Sequence, residues 1–221
     1  MNCAKCKARC IKNGFQTNGK QRYYCKICKR SIQKKYTYNA YLTTTNKNIY
    51  NLIVNSCGIS DISRVLKISR NTVKKRILMM GRNIKAPLVI ERHKSYEMDE
   101  LGIKVNGKRL CIAYAINKIT RNVVGFNVGG RTNEDLDKVV NRILLLNPKH
   151  IYIDGWPSYK SLIPKKIHVV SRYQTNRIER FNLNLRTHLK PLNRKTICYS
   201  RCVQVLSAIL RIYFWGGQLK F

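Results

Sequence analysis

The chain has 221 residues, of which 44% are hydrophobic, and 44 lysines and arginines against ten aspartates and glutamates give it a net charge of +34. The hydrophobic content suffices for a folded core, which excludes wholesale disorder, and no run of 18 apolar residues suggests a membrane span. So large a positive charge predicts nucleic acid as the partner rather than a membrane surface.

Residues 1–35 are rich in cysteine and predict a zinc-binding module. No apolar signal sequence precedes them, so we expect a cytoplasmic protein whose thiols stay reduced or bind metal. Two Cys-x-x-Cys pairs separated by 18 residues can supply a tetrahedral site for structural Zn²⁺: Cys3, Cys6, Cys25 and Cys28. The segment 21–24 between them reads as a strand. Two redox dithiols are the alternative, and Cys10, outside the pattern, is expected to be a spare thiol.

Residues 36–90 carry a helical pattern that predicts a helix-turn-helix DNA-binding domain. A first helix is expected to end at Gly58. Ser60 is expected to cap a second helix and Ser69 is expected to cap a third, and the apolar side chains of the third helix should face inward. The residues on its outward face are of the types that contact base edges and phosphates: Arg70, Asn71, Lys74 and Lys75. The alternative is an ordinary basic helical hairpin with a solvated face.

Beyond a linker at Lys85-Ala86-Pro87, residues 91–221 alternate apolar, strand-like runs with amphipathic helices. Asn133 is expected to cap the first of these helices, and the last begins near Asn176. Strands are predicted at 96–105, 109–116, 122–128, 151–155 and 167–170. Three strands, a helix, a strand, a helix and a strand give the order of a ribonuclease-H-like α/β domain, whose first and fourth strands lie side by side.

Three carboxylates stand out because the chain is otherwise so basic. Residues 155–221 contain 13 basic side chains and a single acid, Glu179, on the last predicted helix. Asp99 lies on the first strand of the predicted sheet and Asp154 ends the fourth, so this fold would bring the two together, with Glu179 projecting from a helix over the same edge. Carboxylates that converge in a basic groove are suited to a divalent metal ion.

Each acid also has a purely structural interpretation. Glu179 could complete a capping box at the start of its helix, and Asp154 could begin a turn. Asp99 has two acidic neighbours, Glu97 and Glu100. Strand alternation places Glu97 on the same face as Asp99 and Glu100 on the opposite one, so Glu97 is the stronger competitor for the role of Asp99.

Three blocks of sequence resemble the insertion-sequence-one family of transposases: Met98-Asp99-Glu100-Leu101, Tyr152-Ile153-Asp154-Gly155-Trp156 and Arg177-Ile178-Glu179-Arg180. A fourth block from Arg194 to Ser200, the cysteine pairs and the helix-turn-helix also match the layout of that family. The resemblance implies a DDE active site in which Asp99, Asp154 and Glu179 bind Mg²⁺ or Mn²⁺. It further implies an enzyme of the prokaryotic nucleoid that cuts and joins DNA at the ends of a mobile element, as a homodimer or higher oligomer on double-stranded DNA.

In such a site, two metal ions assist an in-line displacement: one activates the attacking water or 3′-hydroxyl, and the other stabilises the leaving oxygen. Arg186 lies two helical turns after Glu179 on the same face, and we expect it to hold a phosphate as part of the catalytic site. Arg180 and Asn182 are expected to help track the DNA strand. Trp156 either stacks on an unpaired base or serves as a core or lid residue.

Three other functions compete with this interpretation. A non-enzymatic DNA-binding regulator would explain the N-terminal half, but it gives no reason for the three acids. A ribonuclease-H-like nuclease such as a junction resolvase would need no reader of about 90 residues at its N-terminus. An RNA-binding or ribosomal protein fits the charge and again leaves the acids unexplained.

We expect DNA binding to weaken steeply with salt, because side chains that contact phosphates release counterions. For six to ten phosphate contacts, affinity for a duplex should fall about 10³- to 10⁵-fold between roughly 50 and 200 mM salt. Fluorescence anisotropy of a labelled duplex measures this dependence. An affinity that stays constant over that range would contradict the argument from charge.

Overall fold

The computed structural model describes residues 1–86, 92–170, 176–193 and 200–219, and the chain divides into two compact units, Met1–Thr45 and Asn46–Phe221. Pro87 of the expected linker and residues 194–199 of the fourth sequence block lie outside the described residues. Among the helices that the structure describes, none has the length and apolar character needed to cross a membrane.

The first unit is built on a three-stranded antiparallel sheet in the order β1-β2-β3. The strands are β1 (Ile11–Phe15), β2 (Gln21–Cys25) and β3 (Arg30–Gln33). The strand predicted at 21–24 is therefore confirmed as β2. The core beside this sheet is small, since Cys3, Cys10 and Cys25 are its buried members. So little apolar burial contributes little stability, which is typical of units held together by a metal ion.

Three helices follow: α1 (Thr45–Val54), α2 (Ile59–Leu66) and α3 (Arg70–Asn83). Ser69 caps α3 as predicted, since its hydroxyl accepts a hydrogen bond from the Thr72 amide at 3.1 Å. The predicted cap of α2 is wrong: Gly58 precedes the helix and Ser60 lies inside it. The carboxylate of Asp61 accepts a hydrogen bond from the Gly58 amide at 3.1 Å, so the N-terminus of α2 is stabilised without a side-chain hydroxyl at the cap position.

A five-stranded sheet lies at the centre of the second unit, in the order β6-β5-β4-β7-β8. Its strands are β4 (Ser95–Val105), β5 (Lys108–Asn117), β6 (Val123–Gly129), β7 (His150–Ile153) and β8 (His168–Val170). The first three pair antiparallel, whereas β7 pairs in parallel with both β4 and β8. If these five strands are numbered along the chain with β4 as the first, their order in the sheet is 3-2-1-4-5. The predicted ribonuclease-H-like α/β fold is therefore confirmed.

Four more helices surround this sheet: α4 (Asn133–Leu144), α5 (Tyr159–Leu162), α6 (Asn176–His188) and α7 (Val203–Trp215). The predicted cap of α4 is wrong by one residue, because the Thr132 hydroxyl accepts the Asp135 amide hydrogen bond at 3.2 Å. Thr and Asn are both good caps, so the local sequence does not choose between them. The helix α7, which packs against α3 and β6, was not predicted from the sequence. Apolar residues occur around most of this helix, so its helical period is weak.

The central strand β4 divides its side chains between the two faces of the sheet. Tyr96 and Met98 are buried in the core that includes α4. Glu97 and Asp99 point to the opposite face, where hydrogen bonds join them to α6. One strand therefore presents an apolar surface to one helix and two carboxylates to another.

Candidate active site

The register between β4 and β7 brings two of the predicted acids together. The two strands run parallel, and the last pair in their ladder is Glu97 opposite Tyr152. Asp99 lies two residues further along β4, and Asp154, two residues after Tyr152, directly follows the end of β7 at Ile153. The same register therefore places their side chains next to each other at the end of the ladder.

Three carboxylates form a cluster at this point. Asp99, Glu100 and Asp154 each offer an oxygen atom, and these atoms all lie within 4.8 Å of one another. Carboxylate oxygens on opposite sides of one Mg²⁺ or Ca²⁺ ion are separated by about 4 to 5 Å, so this donor set fits a hard divalent cation. A cleft of about 370 Å³ contains the cluster, and Arg109 and Arg131 also line it.

Asp99 is held by two hydrogen bonds and lies largely out of solvent. Its Oδ1 accepts from the Glu100 amide at 2.7 Å, and its Oδ2 accepts from Asn182 Nδ2 at 2.6 Å. Burial raises the pKa of Asp99 to about 6, and the charges of Glu100 and Asp154 add to this effect while the hydrogen bonds oppose it. A bound cation would stabilise the charged form of Asp99 and so oppose this rise in pKa.

Glu100, rather than Glu97, is the neighbour that joins Asp99 in the cluster. Its side chain is only 3% exposed; the Tyr159 hydroxyl donates to Oε1, and Arg131 forms an ion pair with Oε2 at 3.1 Å. Strand alternation had favoured Glu97, because Glu97 shares the face of Asp99. Since β7 ends at Ile153, the ladder no longer covers this edge of β4, and a side chain from the other face can reach Asp154.

Glu97 is fully buried and fastens the start of α6 to the sheet. Its Oε2 accepts a hydrogen bond from the Ile178 amide at 3.0 Å, although the two residues are 81 positions apart in the sequence. Burial raises the pKa of this carboxyl, and the hydrogen bond from Ile178 partly offsets that effect. Glu97 thus satisfies an amide in the first turn of α6, a place where a helix has no partner of its own.

Asn182 links α6 to Asp99 through an amide whose orientation is fixed. The Tyr114 hydroxyl donates to Asn182 Oδ1 at 2.8 Å, which leaves Nδ2 to donate to Asp99. Asn182, which was predicted to help track the DNA strand, makes this contact inside the site. Burial raises the pKa of Tyr114 far above its usual value, so its hydroxyl keeps the proton that it donates.

Glu179 and Arg186 lie on α6 outside the cluster. Glu179 is exposed and does not belong to the three-carboxylate group, while Asn182, three residues later, is the α6 residue that reaches Asp99. Arg186 is half-buried and donates a hydrogen bond to the Leu192 carbonyl at 2.7 Å. Two of the three predicted acids are therefore brought together with Glu100, and the third stands on a neighbouring helix.

The four predicted cysteine ligands form a second cluster, in the first unit. Their sulfur atoms all lie within 4.8 Å of one another: Cys3, Cys6, Cys25 and Cys28. The Cys3–Cys28 and Cys6–Cys25 sulfurs are 3.9 and 3.4 Å apart, close to the separation of about 3.8 Å between thiolates on one tetrahedral zinc. Hydrogen bonds from the backbone of Cys6 and Lys5 lower the pKa of Cys3 to about 6, whereas the side-chain hydrogen bond with Cys6 and burial raise the pKa of Cys28, so a metal ion would have to displace the proton there.

The polar face of α3 is open to solvent. All four residues that were predicted to contact DNA are exposed: Arg70, Asn71, Lys74 and Lys75. Val73 and Ile77 on the other side of the helix are fully buried. The helix therefore presents three cationic side chains and one amide on a face that a DNA groove could accept.

The strand order and the carboxylates gathered on β4 beside the end of β7 define a ribonuclease-H-like domain with an acidic site suited to divalent metal. A family model described as IS1 transposase matches residues 94–215, which is more than half of the chain. The chain therefore belongs to the IS1 transposase family. The matched region runs from just before β4 to the end of α7, so residues 1–93 lie outside it.

Curated relatives support the same assignment. The insertion element IS1 4 protein InsB of Escherichia coli (strain K12) is 38% identical over 122 residues, which cover 53% of this chain and 71% of that protein. The insertion element IS1 protein InsB of Shigella flexneri is 37% identical over 119 residues, covering 53% of this chain and 91% of the relative.

Solved structures with some similarity include two viral ones. The HTLV-2 integrase catalytic core domain in complex with magnesium (trimeric form) is 16% identical, with a TM-score of 0.35 over 62% of this chain and 90% of that one. A simian T-cell lymphotropic virus intasome in complex with PP2A regulatory subunit B56 gamma is 15% identical, with a TM-score of 0.36 over 63% and 59%. At such TM-scores the likeness is too distant to support an argument about function.

Divalent cations should bind the acidic cluster more weakly below about pH 6, because Asp99 must lose its proton to act as a ligand and its pKa is raised to about 6. Lowering the pH from about 7 to about 5 should reduce Mn²⁺ affinity on the order of tenfold, as measured by electron paramagnetic resonance titration. An Asp99→Asn variant should bind weakly at both pH values. Equal affinity of the native chain at both would show that Asp99 is not a ligand.

Removing the Glu97 carboxylate should loosen the first turn of α6, because the buried Ile178 amide then loses its acceptor. In Glu97→Leu, amide hydrogen exchange in residues 176–182 should become at least about tenfold faster, as expected for the loss of roughly 1.4 kcal/mol. Glu97→Gln keeps an acceptor oxygen and should show a smaller change. Exchange in α4 serves as the internal control, and an unchanged rate in α6 of Glu97→Leu would rule out this anchoring role.

Proposed function

We propose that the chain is a DNA transposase that binds the ends of a mobile element, cleaves their 3′ strands and joins them to target DNA by metal-dependent phosphoryl transfer. The carboxylate cluster of Asp99, Glu100 and Asp154, with oxygens within 4.8 Å of one another, carries this proposal in a protein of net charge +34. Acids gathered so closely repel one another and also repel DNA. A surface that only bound DNA would gain nothing from them, whereas a metal-dependent site needs them.

Mg²⁺ or Mn²⁺ is the cofactor that best suits the cluster, because its ligands are carboxylate oxygens. When bound, such ions activate the attacking hydroxyl and stabilise charge on the leaving oxygen. Asp99 and Asp154 would hold the metal, and Glu100 offers a further oxygen within reach of both. Glu179 would complete the DDE set from α6, the helix that Glu97 and Asn182 hold against β4.

The other residues of the site orient these ligands and attract DNA. Asn182, itself fixed by Tyr114, holds one oxygen of Asp99 and so sets the direction of the other. Arg109 and Arg131 line the cleft and provide positive charge beside the acids. Arg186 on α6 is proposed to contact a phosphate of the bound strand, where a guanidinium can donate two parallel hydrogen bonds.

The N-terminal part of the chain would recognise the element ends. The exposed face of α3 would enter the major groove with Arg70, Asn71, Lys74 and Lys75. A Zn²⁺ ion on the four clustered cysteines would stabilise the small first unit without taking part in the reaction. Joining two ends of an element requires two active sites, so we propose that the chain acts as a homodimer or higher oligomer on DNA.

Asp154→Asn and Glu179→Gln should each lower Mg²⁺-dependent cleavage by at least about a hundredfold, the scale seen when one group that stabilises transition-state charge is removed. Binding to the element ends should persist, because neither residue lies on α3. The substrate is a supercoiled plasmid that carries the inverted repeats flanking this gene, assayed with Mg²⁺ and again with EDTA.

Asp137→Asn and Glu134→Gln are matched controls. They make the same chemical changes as the two test substitutions, and both acids lie on α4 outside the carboxylate cluster. These controls should cleave like the native chain. Full cleavage by Asp154→Asn or Glu179→Gln, or equal cleavage in EDTA, would contradict the proposal. End binding by the native chain without any metal-dependent nicking would instead identify a DNA-binding regulator.

A further inference from the structure

An exposed tryptophan stands at the edge of the acidic cluster. Trp156 follows Asp154 by two residues, and its backbone amide donates a hydrogen bond to Asp154 Oδ1 at 3.2 Å. Its side chain remains 40% exposed. The contrast is Trp215, which is 5% exposed and donates its indole N–H to the Val123 carbonyl at 2.7 Å, as a core tryptophan does.

The ring of Trp156 is held in one orientation. Its indole N–H donates to the Ser158 hydroxyl at 3.2 Å, and the guanidinium of Arg131 lies over the ring at 3.7 Å from its centroid. Arg131 is fixed in turn by its ion pair with Glu100 at 3.1 Å. Because Arg131 covers one face of the indole, a ligand that stacks on the ring must approach from the other face.

The charges around this ring select among possible ligands. Asp154 and Glu100 lie beside it, so a free anion gains little there, and Arg131 already occupies the position over the ring that a ligand cation would take. The protein as a whole, with its net charge of +34, attracts polyanions. A flat, uncharged ring that belongs to a polyanion satisfies all of these conditions, and a nucleobase in a DNA strand is such a group.

We propose that Trp156, backed by Arg131, is a stacking site for one unpaired nucleobase of the DNA strand that enters the acidic cleft. Its place next to the cleaved strand rests on the proposed function, but the stacking itself requires no metal and no reaction. A base paired in a duplex stacks on its neighbours and cannot offer a face to Trp156. The site therefore favours a strand whose pairing is locally opened, and it holds that strand beside Asp154.

The free energy of stacking one base on Trp156 is large enough to change DNA affinity measurably. Base–aromatic stacking contributes about 1–3 kcal/mol per base and tolerates every base type, because each has a flat π surface. The ring is already fixed by Ser158 and Arg131, so little side-chain entropy is lost on binding. Trp156 thus serves strand placement and leaves sequence recognition to other parts of the chain.

The test uses the intrinsic fluorescence of the chain, which has two tryptophans, Trp156 and Trp215. The full-length protein is titrated without added Mg²⁺ or Mn²⁺ with a single-stranded oligothymidylate, and separately with a blunt duplex of equal length. Native protein should show quenching with the single strand and little with the duplex. In Trp156→Phe the quenching should disappear, and the remaining emission of buried Trp215 reports whether the fold is intact.

Affinity supplies a second readout. Trp156→Leu should bind the single strand about 5- to 150-fold more weakly at moderate salt, while its affinity for the duplex stays unchanged. Arg131→Lys keeps the charge but loses the flat guanidinium, and it should show a weaker quench. Leu145→Ala removes an exposed apolar side chain elsewhere, at 73% exposure, and should behave like the native protein.

Two outcomes would overturn the inference: full quenching that persists in Trp156→Phe, or equal quenching of native protein by the duplex and the single strand. The plasmid assay separates this inference from the proposed function. Metal-dependent nicking without the Trp156 signal would reject the stacking site alone. A Trp156 signal without nicking would reject the transposase reaction and leave the stacking site standing.

Discussion

The parallel ladder between β4 and β7 is the constraint on which the acidic site depends. Its last pair is Glu97 with Tyr152, and continuing that register by two residues sets Asp99 beside Asp154. A slip of one residue would turn the side chains of β4 to opposite faces, exposing the core residues Tyr96 and Met98 and removing Asp99 from the site. The apolar packing on one face of the strand therefore protects the geometry of the carboxylates on the other.

The helix α6 is tied to the same strand by carboxylates. Burial of Glu97 is unfavourable in itself. The hydrogen bond that its carboxylate accepts from the Ile178 amide offsets part of that cost and holds the first turn of α6 against the sheet. Further along, Tyr114 orients Asn182, which holds Asp99. Asp99 of the carboxylate cluster and the residues that dock the helix thus belong to one hydrogen-bonded network, so a change in one affects the other.

Much of this arrangement could be predicted from the sequence. The five central strands lie within one or two residues of their predicted positions, and their order led to the correct sheet. Helix caps were less predictable. Thr132 replaced the expected Asn133 because both residue types are good caps, whereas at α2 Gly58 takes the place of Ser60 and its amide donates to the Asp61 carboxylate. The helix α7 escaped detection because apolar side chains occur around most of it, which hides the helical period.

The sequence alone determined the features that depend on local spacing and on composition: the paired cysteines, the excess of positive charge, the order of the strands and the rarity of acids near Asp154 and Glu179. Only the tertiary structure decided which neighbour joins Asp99. Strand alternation is a local rule and pointed to Glu97, but the edge of β4 opens where β7 ends, and there Glu100 reaches Asp154. Where a partner strand ends depends on residues about 50 positions away, so no local pattern around Asp99 contains that information.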